Sequence, residues 1–121
     1  MNTRQIVEKY FESVNSGQWE DYISLFADDP VMDEQIAGHL VGIEEVRRGI
    51  EGLRSAPRFN NSLIDMVVEG DSAMARWRIS ADFGNGRIVE AQGVNYYRIA
   101  DGKIAYFANY HDTKPFDVLF G

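Results

Sequence analysis

The sequence predicts an α+β domain in which helices come first and an antiparallel sheet follows. Three observations carry that expectation. Apolar residues recur at helical spacing as far as Leu53, and after Pro57 the pattern changes to strict alternation. Short turn-forming stretches, Gly70-Asp71, Gly84-Asn85-Gly86 and Ala100-Asp101-Gly102, separate the later segments at hairpin spacing. Runs of helix followed by runs of strand place the helices over one side of a single sheet.

The first helix begins at Asn2, with Gln5 three residues on as in a capping box. Ile6, Val7, Tyr10, Phe11 and Val14 then share one face until Asn15-Ser16-Gly17 stops the pattern. Trp19, Tyr22, Ile23 and Phe26 predict a second helix closed by Asp28-Asp29-Pro30, the two acids being surface residues of its end and the turn. A short strand enters the core at Val31 and Met32. From about Gly42, Ile43, Val46, Ile50 and Leu53 mark a third helix, with Glu44 and Glu45 in its first turn complementing the helix dipole. Four strands follow: residues 59–69, 72–83, 87–99 and 103–112. In the second of these, Ala73, Ala75, Trp77, Ile79, Ala81 and Phe83 lie on one face, and the wetter face carries Met74, Arg76, Arg78, Ser80 and Asp82. A twisted sheet with helices across its concave side leaves a pocket between the layers. The tail from Pro115, with Phe116, Val118, Leu119 and Phe120, is too apolar to hang free, so it should pack on the body or at the pocket mouth.

Composition narrows the function. At 121 residues the chain reads as one domain, residues 1–121, long enough for a sizeable core. A net charge of −7, from 19 acids against 12 Lys and Arg, opposes binding to nucleic acid or to an anionic membrane surface. The lack of Cys removes disulfides, thiolate metal sites and thiol nucleophiles, and with 2 His no multi-histidine metal cage can form. No apolar run approaches membrane-spanning length and the N-terminal MNTRQIVEKY has no signal-peptide core, so a cytoplasmic protein is the expectation.

The acidic run Asp28-Asp29-Pro30-Val31-Met32-Asp33-Glu34 puts carboxylates where a strand should enter the core. In that context the chain resembles the nuclear transport factor 2-like superfamily, and within it the SnoaL-like and ketosteroid isomerase-like branch. The resemblance rests on the helix ending Leu25-Phe26-Ala27-Asp28-Asp29-Pro30, the segment GHLVGIEEVRRGIEGL from Gly38 to Leu53, and four long strands behind it. It implies a cone-shaped, strongly curved antiparallel sheet with about three N-terminal helices on its concave face.

The resemblance also implies a site. Matched residue by residue, the ketosteroid isomerase pattern puts its first-helix tyrosine at Tyr10, its carboxylate base at Glu34 with Asp33 facing out, and its second oxyanion donor at Asn95. A carboxylic acid in those enzymes is thereby replaced by an amide. A pocket aromatic of the last strand falls on His111. Such enzymes remove a proton next to a carbonyl and hold the enolate with hydrogen-bond donors. Phe26, Ile50, Trp77, Tyr97, Phe107 and Asn109 are the expected substrate-binding walls.

In SnoaL-like polyketide cyclases, His and Asp residues of the late strands carry acid–base work, which points to His111, whose imidazole suits proton transfer near neutral pH. Asp112 should face the other way. The epoxide hydrolase branch needs an Arg flanked by two Asp across the pocket, and Arg76 and Arg78 fall on the face opposite Trp77. The leading expectation is therefore a cofactor-independent, metal-independent enzyme isomerising or cyclising a hydrophobic carbonyl compound. The alternatives are a non-catalytic module binding a hydrophobic ligand, or a structural dimerisation domain whose pocket is filled by Trp77 and Phe107. A homodimer is expected from the resemblance and from Tyr106 and Tyr110 on the face away from the pocket.

Overall fold

The computed structural model describes residues 1–120, and Gly121 lies outside the described residues. Helix α1 (Thr3–Ser16) starts at the capping box read from the sequence: Gln5 N donates to Asn2 Oδ1 (2.8 Å) and Asn2 N donates to Gln5 Oε1 (2.9 Å). It stops at Gly17, whose φ of 70° is a left-handed C-cap. Its apolar face, Ile6, Val7, Tyr10, Phe11 and Val14, is buried against the sheet. Helix α2 (Trp19–Ser24) is shorter than the spacing of its aromatics suggested. Phe26 is not helical but opens strand β1 (Phe26–Glu34), and Asp28 and Asp29 are exposed strand residues rather than a helix end. Pairing explains the early stop: Leu25 C=O accepts from Ile104 N (2.8 Å), which draws the chain onto the last strand.

Strand β2 (Gly38–Val41) folds back on β1, and the expected third helix follows as two pieces, α3 (Ile43–Gly49) and α4 (Glu51–Arg54), hinged at Ile50. The long strands are β3 (Arg58–Glu69), β4 (Ser72–Asp82), β5 (Ile88–Ala100) and β6 (Lys103–His111). They complete a curved six-stranded sheet in the order β2-β1-β6-β5-β4-β3. One pairing departs from the antiparallel expectation: β1 runs parallel to β6, with an irregularity between Phe26 and Val31 where Pro30 interrupts the ladder.

Alternation along β4 is as read, with Ala73, Ala75, Trp77, Ile79 and Ala81 buried and Met74, Arg76 and Arg78 exposed. The core lies between the concave face and the helices. There Tyr10 meets Phe11, Tyr22, Tyr97 and Phe107 at ring-centroid distances of 5.2–5.7 Å. The convex face is polar and aromatic. Arg76 pairs bidentately with Asp65 (3.1 Å for both bonds), and Arg98 lies over the rings of Tyr96 and Tyr106. Asp33 points outward, as expected, and accepts from Tyr106 Oη (2.6 Å) while pairing with His39 Nδ1. Those contacts pin the β1–β2 hairpin to β6. The Asp33 carboxylate pushes the Tyr106 phenol up to about 12, and the same bond, followed by His39, lowers Asp33 itself. Among the described residues, no helix is long and apolar enough to cross a membrane.

Candidate functional site

Curvature of the sheet leaves a cavity of about 410 Å³ between its concave face and the helices. Tyr10 and Val14 of α1, Tyr22 of α2, Ile50 between α3 and α4, and Leu53 of α4 roof it, while Trp77, Ile79 and Phe107 form part of the sheet wall. Trp77 and Phe107 therefore wall the space and do not fill it. All four candidate catalytic residues, Tyr10, Glu34, Asn95 and His111, reach this one cavity. Of the expected binding walls, Ile50, Trp77, Phe107 and Asn109 line it. Phe26 and Tyr97 do not: Phe26 packs on Tyr22 (5.2 Å), and Tyr97 is fully buried behind the wall in the aromatic cluster.

Glu34 ends β1, where the three-residue loop 35–37 turns the chain into β2. Its Oε1 accepts from Asn109 Nδ2 (2.9 Å) and Ile36 N (3.2 Å), and its Oε2 accepts from Ala37 N (2.6 Å). A carboxylate has about four lone-pair sites, so acceptor capacity is left on Oε2. Glu34 thus both caps the turn and faces the cavity. Asn109, expected as a substrate contact, mainly positions Glu34: its Oδ1 also accepts from Gln35 N (2.9 Å). Gln35 in turn accepts from His111 N, so the turn is fixed to β6 at two points.

Asn95 is 2% exposed and its amide is largely committed. Oδ1 accepts from Trp77 Nε1 (2.7 Å), and Nδ2 donates to Tyr97 Oη (2.9 Å), which leaves one N–H for a ligand. Tyr10 is buried, and that burial, with the neighbouring phenols of Tyr22 and Tyr97, holds its hydroxyl well above the ordinary phenol range. The phenol keeps its proton, for which the Tyr22 hydroxyl is the neighbouring acceptor. His111 sits between Trp77 (5.5 Å) and Phe116 (5.0 Å). Its Nδ1 is 2.9 Å from Asp112 C=O, which can only accept, so Nδ1 carries the proton and Nε2 of the neutral ring is the basic nitrogen. Asp112 itself caps the next turn, accepting from Lys114 N (3.0 Å). Glu34 and Arg87 are the charged side chains among the Asp, Glu, Lys and Arg of the described lining, and Arg87 is occupied by the carbonyls of Gly84 and Phe83.

The tail closes the mouth. Its 3-10 helix, Lys114–Leu119, contains Pro115, and Phe116, Leu119 and Phe120 line the cavity. Removing the chain from Pro115 onward deletes Phe116, which is buried, and uncovers one side of the His111 ring. The melting temperature should fall, and an unchanged thermal transition would refute the packing role of the tail.

Tyr22 and Asn61 are among the cavity residues that were not read as part of the site from the sequence. For Asn61 a signal existed: it falls between Phe59 and Leu63 on the alternating face of β3, a polar residue among inward apolar ones.

A curved sheet roofed by helices is the fold of nuclear transport factor 2-like proteins. Within it the chain belongs to the SnoaL-like family, whose domain model matches residues 7–107. Among solved structures, a candidate polyketide cyclase from Pseudomonas putida KT2440 is 21% identical with a TM-score of 0.80, covering 96% of this chain and 96% of that one. An NTF2-like protein of unknown function from Cytophaga hutchinsonii ATCC 33406 is 21% identical with a TM-score of 0.74, over 100% and 96% of the two chains. A candidate ketosteroid isomerase from Kribbella flavida DSM 17836 is 20% identical with a TM-score of 0.75, over 91% and 77%. At such identities the likeness is one of fold. No curated protein matches the chain.

Proposed function

We propose that the chain is a cofactor-independent enzyme that moves a proton on a hydrophobic carbonyl compound, leading to isomerisation or cyclisation. The observation that carries this reading is the convergence of the Glu34 carboxylate and the permanently protonated Tyr10 phenol on one apolar cavity. Glu34 Oε2 takes a proton from the carbon next to the carbonyl, and the electron pair moves onto the carbonyl oxygen. Tyr10 Oη and the remaining N–H of Asn95 donate to that developing oxyanion. Returning the proton at a different carbon completes an isomerisation. Attack of the enolate carbon on a second carbonyl, with the proton held by Glu34 passing to the new alkoxide through Nε2 of His111, which takes it up and hands it on, completes a cyclisation.

A phenol that mimics the enolate should bind in the cavity, and Tyr10→Phe should weaken it by about 1–3 kcal/mol, the value of one donor to a buried charged oxygen. Calorimetry with 2-naphthol reads this directly. Equal affinity for wild type and variant would remove Tyr10 from the oxyanion site.

A second reading, a non-catalytic binding module, is favoured by one observation: three donors already occupy Glu34 as a turn cap. It requires ligand binding with no proton exchange. Association as a homodimer through the convex face belongs to either reading, since Tyr110 is 56% and Met74 47% exposed there, bridged through Val94 and Tyr96 of β5. Sedimentation should give a dimer at micromolar concentration, and a monomer there would count against it.

A further inference from the structure

One polar group in the cavity is used neither by the fold nor by the proton-transfer chemistry above. Asn61 faces inward from β3, lines the cavity and is 7% exposed. Its main chain is already secured, since Asn61 N donates to Asn15 Oδ1 (2.7 Å) and Asn15 Nδ2 donates to Asn61 C=O (2.8 Å). Its side-chain Oδ1 is buried, and no protein donor reaches it. Buried polar atoms in folded proteins are nearly always paired, so the Asn61 carboxamide is an unused polar group in the cavity lining. Ser13 Oγ is also buried without a partner, but Ser13 does not line the cavity and bears on no ligand.

Position gives the group its meaning. In the sheet order, β6, β5 and β4 lie between β1, which carries Glu34, and β3, which carries Asn61. Asn95, on β5, lies two strand steps from β3, about 10 Å across the strands at roughly 4.8 Å per step. The wall between them is apolar, with Trp77 and Ile79. A ligand whose carbonyl meets Tyr10 and Asn95 can extend an apolar body along this wall to Asn61.

We propose that Asn61 is a ligand-binding residue that pairs with a hydroxyl on the substrate, so that the substrate class is an elongated apolar carbonyl compound bearing a hydroxyl remote from the reacting carbonyl. A hydroxyl both donates and accepts, so it pairs with the carboxamide in either orientation. A ligand with only C–H at that end leaves Oδ1 stranded and binds more weakly. The proposal rests on the cavity being a small-molecule site and does not require Glu34 to be a base.

Calorimetry with two probe pairs tests it: 2-naphthol against 2,6-dihydroxynaphthalene, and 4-phenylphenol against 4,4′-dihydroxybiphenyl. In at least one pair the diol should bind wild type about tenfold more tightly than the mono-ol. In Asn61→Leu that preference should fall below about twofold while mono-ol affinity stays within about twofold. The unliganded Asn61→Leu protein should melt at the same or a higher temperature, because an unpaired buried polar atom has been replaced by an apolar group of similar size. Asn61→Ala, which only adds space, should lose the same preference.

The assignment is overturned if wild type prefers neither diol, if no probe binds, or if the preference survives both substitutions. It is also overturned if both variants melt several degrees lower and lose mono-ol binding, which would make Asn61 structural. Absence of proton exchange, by contrast, would sink the catalytic reading and leave this binding assignment in place.

Discussion

Glu34→Gln is expected to bind an anionic enolate mimic more tightly than wild type while catalysing proton transfer about 10²–10⁴-fold more slowly, the usual contribution of a positioned general base. The sign of the affinity change is diagnostic. In wild type a phenolate oxygen held by Tyr10 and Asn95 shares an apolar cavity with a carboxylate, and removing that charge relieves the repulsion. Stability should move the other way. Glu34 accepts from Asn109, Ile36 and Ala37 through both oxygens, and an amide offers only one oxygen, so at least one of those donors loses its partner. A loss of about 1 kcal/mol follows, measurable by urea denaturation. Weaker phenolate binding in Glu34→Gln would mean that Glu34 acts only as a turn cap whose loss deforms the cavity.

Gly93→Ala is expected to cost about 1–3 kcal/mol and to disorder the basic side of the site. Gly93 lies in β5 between Trp77 of β4 and His111 of β6, in register with both. A methyl group there would stand 2.7 Å from His111 Cβ, from Trp77 Cζ2 and from Tyr110 C=O. The last is backbone, so no rotation of a side chain relieves the contact. The glycine is what allows Trp77 and His111 to meet edge to face at 5.5 Å across the strand between them. The substitution should lower the melting temperature and also weaken phenol binding, because Trp77 Nε1 holds Asn95. An alanine variant with wild-type melting and binding would contradict this packing.

Where the determinants were local, the sequence was readable. The capping box at Asn2 and Gln5 and the glycine stop at Gly17 lie within the helix they bound, and the alternation along β4 follows from the pleat alone. Phe26 was misread because a helical face of Trp19, Tyr22 and Ile23 puts it on the same side. The end of α2 is set by pairing of Leu25 with Ile104, far along the chain. The parallel β1–β6 pairing is non-local in the same way.

The direction of Glu34 into the cavity and of Asp33 away from it followed from strand alternation and the family resemblance. The partners of each group did not. Asn95 was read as a free donor, yet Nδ2 already donates to Tyr97 Oη, and Trp77 from the neighbouring strand fixes its oxygen. Asn109 was read as a ligand contact; it lines the cavity and also holds Glu34. Such commitments depend on which side chains meet across strands, which the period of a single strand does not encode.

Deuterium exchange tests the central claim most directly. A panel of cyclic hydroxyketones in D₂O, followed by NMR, reads proton removal next to the carbonyl without knowledge of the natural substrate. Wild type should catalyse exchange into at least one ketone that binds, Glu34→Gln should lose it, and His111→Ala should retain it if Glu34 is the sole base for that step. Ketones that bind wild type without any exchange would contradict the enzyme account and leave a binding module of the same fold.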